Sequence, residues 1–160
     1  MEAFADARIK DKNIKLLIAG EYYEDPAYYE KLAVVLGIND QIIYHTRFIP
    51  NDLVKYYFCA SDLVAQTYRN ATNSGVTMVG YFYEKPMLVT NVGGLAEIVP
   101  NEKCGYVVET KIPEISEKII TYFSQDKETE FTQNVRIEKK KYEWNEFIRV
   151  LLNLYQSSKK

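Results

Sequence analysis

Residues 70–75 read Asn-Ala-Thr-Asn-Ser-Gly, a small polar turn feeding an apolar run. After a short strand-like Met-Leu-Val-Thr come Gly93 and Gly94, with Glu97 three residues on. A polar turn that opens a helix presents free backbone N–H groups and the positive end of the helix dipole, which favour an anion. Ser74 adds a hydroxyl, and Gly75 lets a phosphate come close to the backbone. Thr72, Asn73, Ser74, Gly75 and Val76 are therefore candidate phosphate contacts. The same turn without a ligand is simply a helix cap. Gly93 and Gly94 form a second turn, which approaches a ligand or only satisfies a positive φ. Arg47 and Arg69 are the obvious cations on turns of this kind, as ligands or as ordinary surface charges. Glu97 caps a short helix or accepts from a sugar hydroxyl. Neither a Walker loop nor a G-x-G-x-x-G fingerprint is present.

Composition narrows the chemistry. The chain has 160 residues, 47% hydrophobic and 26% charged, with a net charge of −2. These values suit one folded domain and exclude a general nucleic-acid binder. With one histidine, His45, a His-dependent triad or a multi-histidine zinc site is not expected. Cys59 and Cys104 lack metal-ligand spacing, and Cys59, in an apolar run, is expected in the core. No apolar stretch reaches the length of a membrane span, and the start is not a signal peptide. Lys139, Lys140 and Lys141 are offset by Glu138 and Glu143 and read as a solvated helix face. Tyrosine is common, 14 residues. The pairs Tyr22-Tyr23, Tyr28-Tyr29 and Tyr56-Tyr57 read as half-buried residues with wet hydroxyls rather than as a sugar-stacking surface.

The elements that must carry these residues alternate. Strands are expected at 14–19, 41–44, 62–66, 87–90 and 106–108. Helices are expected up to Lys10 with Phe4, Ala5 and Ile9 inward, at 26–36 with Tyr29, Leu32 and Val35 on one face, and at 50–60 with Asn51 as a cap. Others run from Asn73 or Ser74 to about Tyr83, at 113–123, and from Glu128 to about Gln156 with a break near Tyr142. Val150, Leu151 and Leu154 are the expected packing face of the last helix. Short apolar strands between helices imply an α/β, Rossmann-like parallel sheet flanked by helices. Ligands of such sheets lie beyond the carboxyl ends of the strands. The tips at 19–23, 45–50, 67–74 and 91–97 are therefore expected to line one cleft of one sheet.

In order, these segments resemble the C-terminal, donor-binding domain of group 1 (family four) retaining glycosyltransferases of the GT-B fold. LLIAG stands at 16–20. IIYHTRFIPNDLVKYYFCASDLVAQTY resembles the family's I-x-F-x-G-x-ϕ-P…Y-x-x-A-D-ϕ pattern, where ϕ is hydrophobic. EKPMLVTNVGGLAEIV and CGYVVE resemble its G-x-P-V-ϕ-A-T-x-x-G-G-x-x-E and G-ϕ-ϕ-ϕ segments. The resemblance covers about 1–125, and the helices at about 126–157 match the family's C-terminal appendage. It implies transfer of a glycosyl unit from a nucleotide-diphosphate sugar to an acceptor hydroxyl, with no other cofactor and no metal. By position, the Asn73–Val76 backbone and Thr72 face the donor phosphates or sugar. Thr46, Arg47, Phe48 and Val79 lie near the nucleobase and ribose, and Gly20, Arg69, Gly93, Gly94 and Glu97 border the pocket.

Two departures stand out. The family's paired glutamates fall at Ala71 and Val79, in a variant that reads A-T-N-S-G here, where Asn73 or Thr72 offers a neutral hydrogen bond instead. The chain also begins inside the family's first helix. Its basic loop, its first strand, central in the usual order, and the N-terminal acceptor domain lie outside residues 1–160. A single truncated donor domain, inactive alone, is expected, with self-association through the incomplete sheet as one way to close the gap. The implied setting is cytoplasmic, bacterial-type surface-glycan synthesis, with peripheral attachment to the inner membrane open for the full-length protein. A non-catalytic α/β assembly module and a sugar-nucleotide epimerase domain are the rival readings.

Overall fold

A computed structural model describes residues 1–158. A 3-10 turn at Glu2–Ala5 and the short α1 (Ala7–Lys10) open the chain. Asp6 is extended and accepts from the Arg8 N–H at 3.0 Å, so the expected continuous helix breaks there. Ala3, Phe4 and Ile9 turn inward; the expected Ala5 is only half-buried.

Then β1 (Leu16–Ala19), α2 (Pro26–Leu36), β2 (Ile42–His45), α3 (Asn51–Ala60), β3 (Val64–Gln66), α4 (Gly75–Phe82), β4 (Met87–Thr90), α5 (Leu95–Ile98) and β5 (Gly105–Val108) alternate. The chain finishes in α6 (Ile112–Ser124), α7 (Glu128–Glu138), a 3-10 turn at Lys139–Tyr142 and α8 (Trp144–Ser157). Pro26 sits in the first turn of α2 and Gly37, at φ 63°, closes it. The cap of α3 is Pro50 and not the expected Asn51, which is already helical.

Every strand pair is parallel, but the strands form two sheets, β1-β2 and β3-β4-β5. This corrects the expectation of one continuous sheet. Among the described residues no strand bridges β1 and β3, so each keeps one ladder edge without a partner strand. All four residues of β4 are buried, as a central parallel strand requires.

Apolar packing crosses the gap on one face. Ile14, Ile38 and Ile42 belong to the same cluster as Leu88, Tyr106, Val108 and Tyr122. Phe4 and Ile9 join that cluster, and Ser116 Oγ donates to the Ala3 carbonyl at 3.1 Å. On the other face Tyr81, Met87, Val89, Leu95 and Val135 form a cluster with no member from β1, β2 or α3. α3 buries no residue at all. Cys59, expected in the core, is consequently exposed, whereas Cys104 is buried. Val35 on α2 is exposed too, and Ala33 takes the inward position. No residue of α8 is buried, and Val150, Leu151 and Leu154, the expected packing face, are exposed.

Candidate functional site

The two polar turns meet. The Gly94 N–H donates to the Thr72 carbonyl at 2.7 Å. Gly93 has φ 54°, and a Cβ there would overlap the Ala71 carbonyl. A Cβ on Gly94 would strike Asn73 Oδ1. Thus the Gly-Gly pair is what lets residues 71–73 lie directly on the β4–α5 turn. Thr90, the last residue of β4, fixes the other end of the loop. Its hydroxyl donates to the Tyr68 carbonyl at 2.6 Å and lies 3.4 Å from the Gln66 carbonyl.

The loop delivers the chain into α4. Ser74 is the backbone cap, but its hydroxyl makes no capping bond. It faces the Tyr68 hydroxyl at 3.4 Å instead. The first N–H groups of a helix have no intrahelical acceptor, and no Cβ blocks their approach at Gly75. Beneath this turn Thr77 donates to Gln66 Oε1 at 2.9 Å, a buried pair that ties α4 to β3. The Gln66 Nε2 is buried without a partner among the described residues. Val79, on the same helix, is half-buried, and Val76 is exposed.

A second pair of tips follows β1 and β2. Gly20, at φ 116°, donates its N–H to the His45 carbonyl at 3.2 Å. Arg47 N–H donates to the same carbonyl at 3.1 Å, so both strand tips turn around one atom. Arg47 and Phe48 are exposed and Thr46 is half-buried. Arg69, on the tip after β3, acts electrostatically on Tyr29 in α2. Tyr29 itself is held above its ordinary value chiefly by its hydrogen bond to Glu24. No described contact joins the Arg47 turn to the Asn73 turn, and Glu97 stands exposed on α5.

Sequence reasoning missed an apolar hollow of about 260 Å³ lined by Leu17, His45, Leu53, Tyr56, Tyr57 and Ala60. His45 Nδ1 and the Tyr57 hydroxyl are 3.2 Å apart, and their rings meet edge to face. The signal was the Tyr56-Tyr57 pair in α3, the helix that follows the Arg47 tip, which composition alone did not set apart from other tyrosine pairs. Those other pairs also differ from expectation. Tyr22 stacks on Tyr29 at 5.1 Å, and the hydroxyls of Tyr22 and Tyr44 are buried without partners among the described residues.

A sequence profile described as "Glycosyl transferases group 1" matches residues 1–144. The chain belongs to the group 1 glycosyl transferases. It is 26% identical over 156 residues to the D-inositol 3-phosphate glycosyltransferase of Corynebacterium urealyticum, covering 94% of this chain and 37% of that protein. The glycosyl transferase chain thus spans well under half of that relative. Anabaena Alr3699/HepE in complex with UDP superposes with TM-score 0.78 at 18% identity, over 98% of this chain and 43% of that one. The C-terminal domain of the group 1 protein LpcC from Francisella tularensis gives TM-score 0.77 at 20% identity, over 89% and 77%. These likenesses establish the fold, and the family assignment displaces the epimerase reading. No helix among the described residues is long and apolar enough to cross a membrane.

Proposed function

We propose that this chain is most of the donor-binding half of a retaining glycosyltransferase, one that uses a nucleotide-diphosphate sugar in surface-glycan synthesis in the cytoplasm. The observation that carries the reading is the Thr72–Gly94 contact. It sets the amino end of α4 beside the Gly-Gly turn, so that N–H groups and small side chains converge where a diphosphate fits. In this reading Thr72, Asn73, Ser74, Gly75 and Val76 hold the phosphates and sugar. Thr46, Arg47, Phe48 and Val79 lie toward the base and ribose, and Gly20, Arg69, Gly93, Gly94 and Glu97 rim the pocket. Basic side chains and the helix end offset the diphosphate charge, so the reading requires no metal. The UDP complex of a structural neighbour supports a nucleotide as the ligand. Half a cleft has no acceptor site, so the isolated chain is expected to bind without turning over.

Calorimetric titration with uridine, guanosine and adenosine diphosphates tests this reading. Millimolar or tighter binding of one of them, weakened by Arg47→Ala, is the expected result. Silence with all three overturns it. A transferase assay with uridine and guanosine diphosphate sugars tests the second half, and turnover by the isolated chain would contradict it.

A non-catalytic assembly module remains the second reading because residues 67–83 contain no carboxylate. A ribose hydroxyl near Ala71 or Val79 would find no charged acceptor there. That reading predicts no response to any nucleotide.

A further inference from the structure

We infer that Gln66 is a further binding residue of the donor site: its side-chain Nε2 donates to an oxygen of the diphosphate seated at the amino end of α4. The inference rests on the nucleotide-diphosphate reading above and adds a residue that the sequence did not single out.

Burial marks the place. Four polar residues are buried in the described chain: Gln66, Thr77, Thr90 and Ser116. The first three meet at one spot. Thr77 Oγ1 donates to Gln66 Oε1 at 2.9 Å, and Thr90 Oγ1 lies 3.4 Å from the Gln66 carbonyl. Ser116 has a separate structural use, since its hydroxyl is shared between the Ala3 and Ile112 carbonyls. A buried, fully paired polar group is worth little more than an apolar one of the same shape, and with a partner missing it costs stability. Gln66 Nε2 is in that second condition. Four buried side-chain atoms lack a partner among the described residues. Three of them, on Tyr22, Gln41 and Tyr44, belong to half-buried side chains. Gln66 alone is itself buried, at 3% exposure, so it has no easy turn outward to water. An unpaired donor held this deep calls for an acceptor that arrives from outside the chain.

Position names the acceptor. Gln66 is the last residue of β3, at the carboxyl edge where ligands of parallel sheets lie. Its Oε1 is held by Thr77 in the first turn of α4. One carbon joins Oε1 to Nε2, so the unpaired donor lies beside that turn. The Thr77 N–H is taken by the Ser74 carbonyl at 3.1 Å, which leaves the N–H groups of Gly75 and Val76 without an intrahelical acceptor. Gln66 Nε2 therefore joins two backbone donors at the positive end of a helix. No carboxylate among residues 67–83 competes for them. A set of donors with no negative charge nearby suits an anionic oxygen and offers a cation nothing.

Gln66→Leu/Thr77→Val tests the inference, because it removes both members of the buried pair and leaves no new orphan. Its melting temperature should equal or exceed that of the parent chain. In calorimetric titrations with uridine, guanosine and adenosine diphosphates, the one that the parent binds best should bind the variant about tenfold more weakly or worse. Gln66→Glu keeps the acceptor for Thr77 but sets a carboxylate beside the phosphate, and should abolish binding. In the nitrogen-15 spectrum of the parent, the assigned Gln66 side-chain amide should shift when that diphosphate saturates the chain. This reading needs no variant, so it decides even if the double substitution unfolds. An unchanged affinity in the double variant, or a Gln66 amide that does not shift, overturns the inference and leaves Nε2 to an internal water. A variant that melts lower and binds more weakly assigns the pair to packing, which also overturns it. A parent that binds none of the three diphosphates defeats the donor reading and this inference together, whereas a binding parent with an indifferent variant defeats this inference alone.

Discussion

The Gly94 N–H donates to the Thr72 carbonyl at 2.7 Å, and this one bond joins the two loops that shape the candidate donor site. Its geometry depends on the neighbouring Gly93, whose φ of 54° and lack of Cβ admit the Ala71 carbonyl. Gly93→Ala is therefore expected to destabilise the chain by more than about 1 kcal/mol, since the native backbone there is unfavourable to an L side chain. Gly75→Ala meets open space and should fall within about 0.5 kcal/mol of the parent. Urea denaturation of the two variants provides the comparison. Equal stability would refute the packing described.

Thr90 and Thr77 belong to a buried polar network around Gln66. Thr90→Val leaves the Tyr68 carbonyl without its donor and should cost about 1–3 kcal/mol. It should also weaken diphosphate binding, because the released loop carries Asn73 and Ser74. Parallel melting curves and titrations measure both effects.

The two thiols should behave oppositely. Burial pushes the Cys104 thiol up to about 11, whereas Cys59 lies on the surface. At pH 8 the native chain is expected to consume one equivalent of a thiol reagent rapidly, and two in denaturant. Mass spectrometry of tryptic fragments identifies the site. Rapid native labelling at Cys104 would contradict its burial.

Lys139 and Arg136 flank Glu84 and hold its carboxyl below the ordinary 4.5. A folded-state value below the unfolded one contributes stability above the unfolded value and loses it as pH falls through the folded value. Glu84→Gln should therefore cost about 1 kcal/mol or less at pH 7, with parent and variant converging as pH falls through the lowered folded-state value. Thermal melts across that range report the difference. A gap that persists in acid assigns the loss to packing rather than charge.

Much of the alternation was legible because the apolar runs are short and bounded. MLVT at 87–90 reads as a buried parallel strand and is one, and Pro26 and Gly37 mark the ends of α2. The family resemblance likewise rested on residues whose spacing survives in the fold. Other features depend on tertiary context. Cys59 and Val35 look like core residues by their neighbours, yet no element covers those positions. The Thr72–Gly94 contact joins loops distant in sequence, so no local pattern announces it. The hollow at His45 and Tyr57 is lined from β1, β2 and α3 together, so no single segment announces it. The split of the strands into two sheets likewise appears only in the pairing.

The gap between β1 and β3 has a consequence for cooperativity. No ladder bond joins the two sheets, and one of the two apolar clusters excludes the β1–β2 half altogether. Regions that share few contacts open as separate units with their own free energies. Amide exchange should therefore proceed in two tiers, with β1, β2 and α3 losing protection before β4 and β5. A nucleotide that engages both the Arg47 and Asn73 turns would slow the first tier toward the second, acting as a clasp between two halves that the backbone alone leaves loosely coupled.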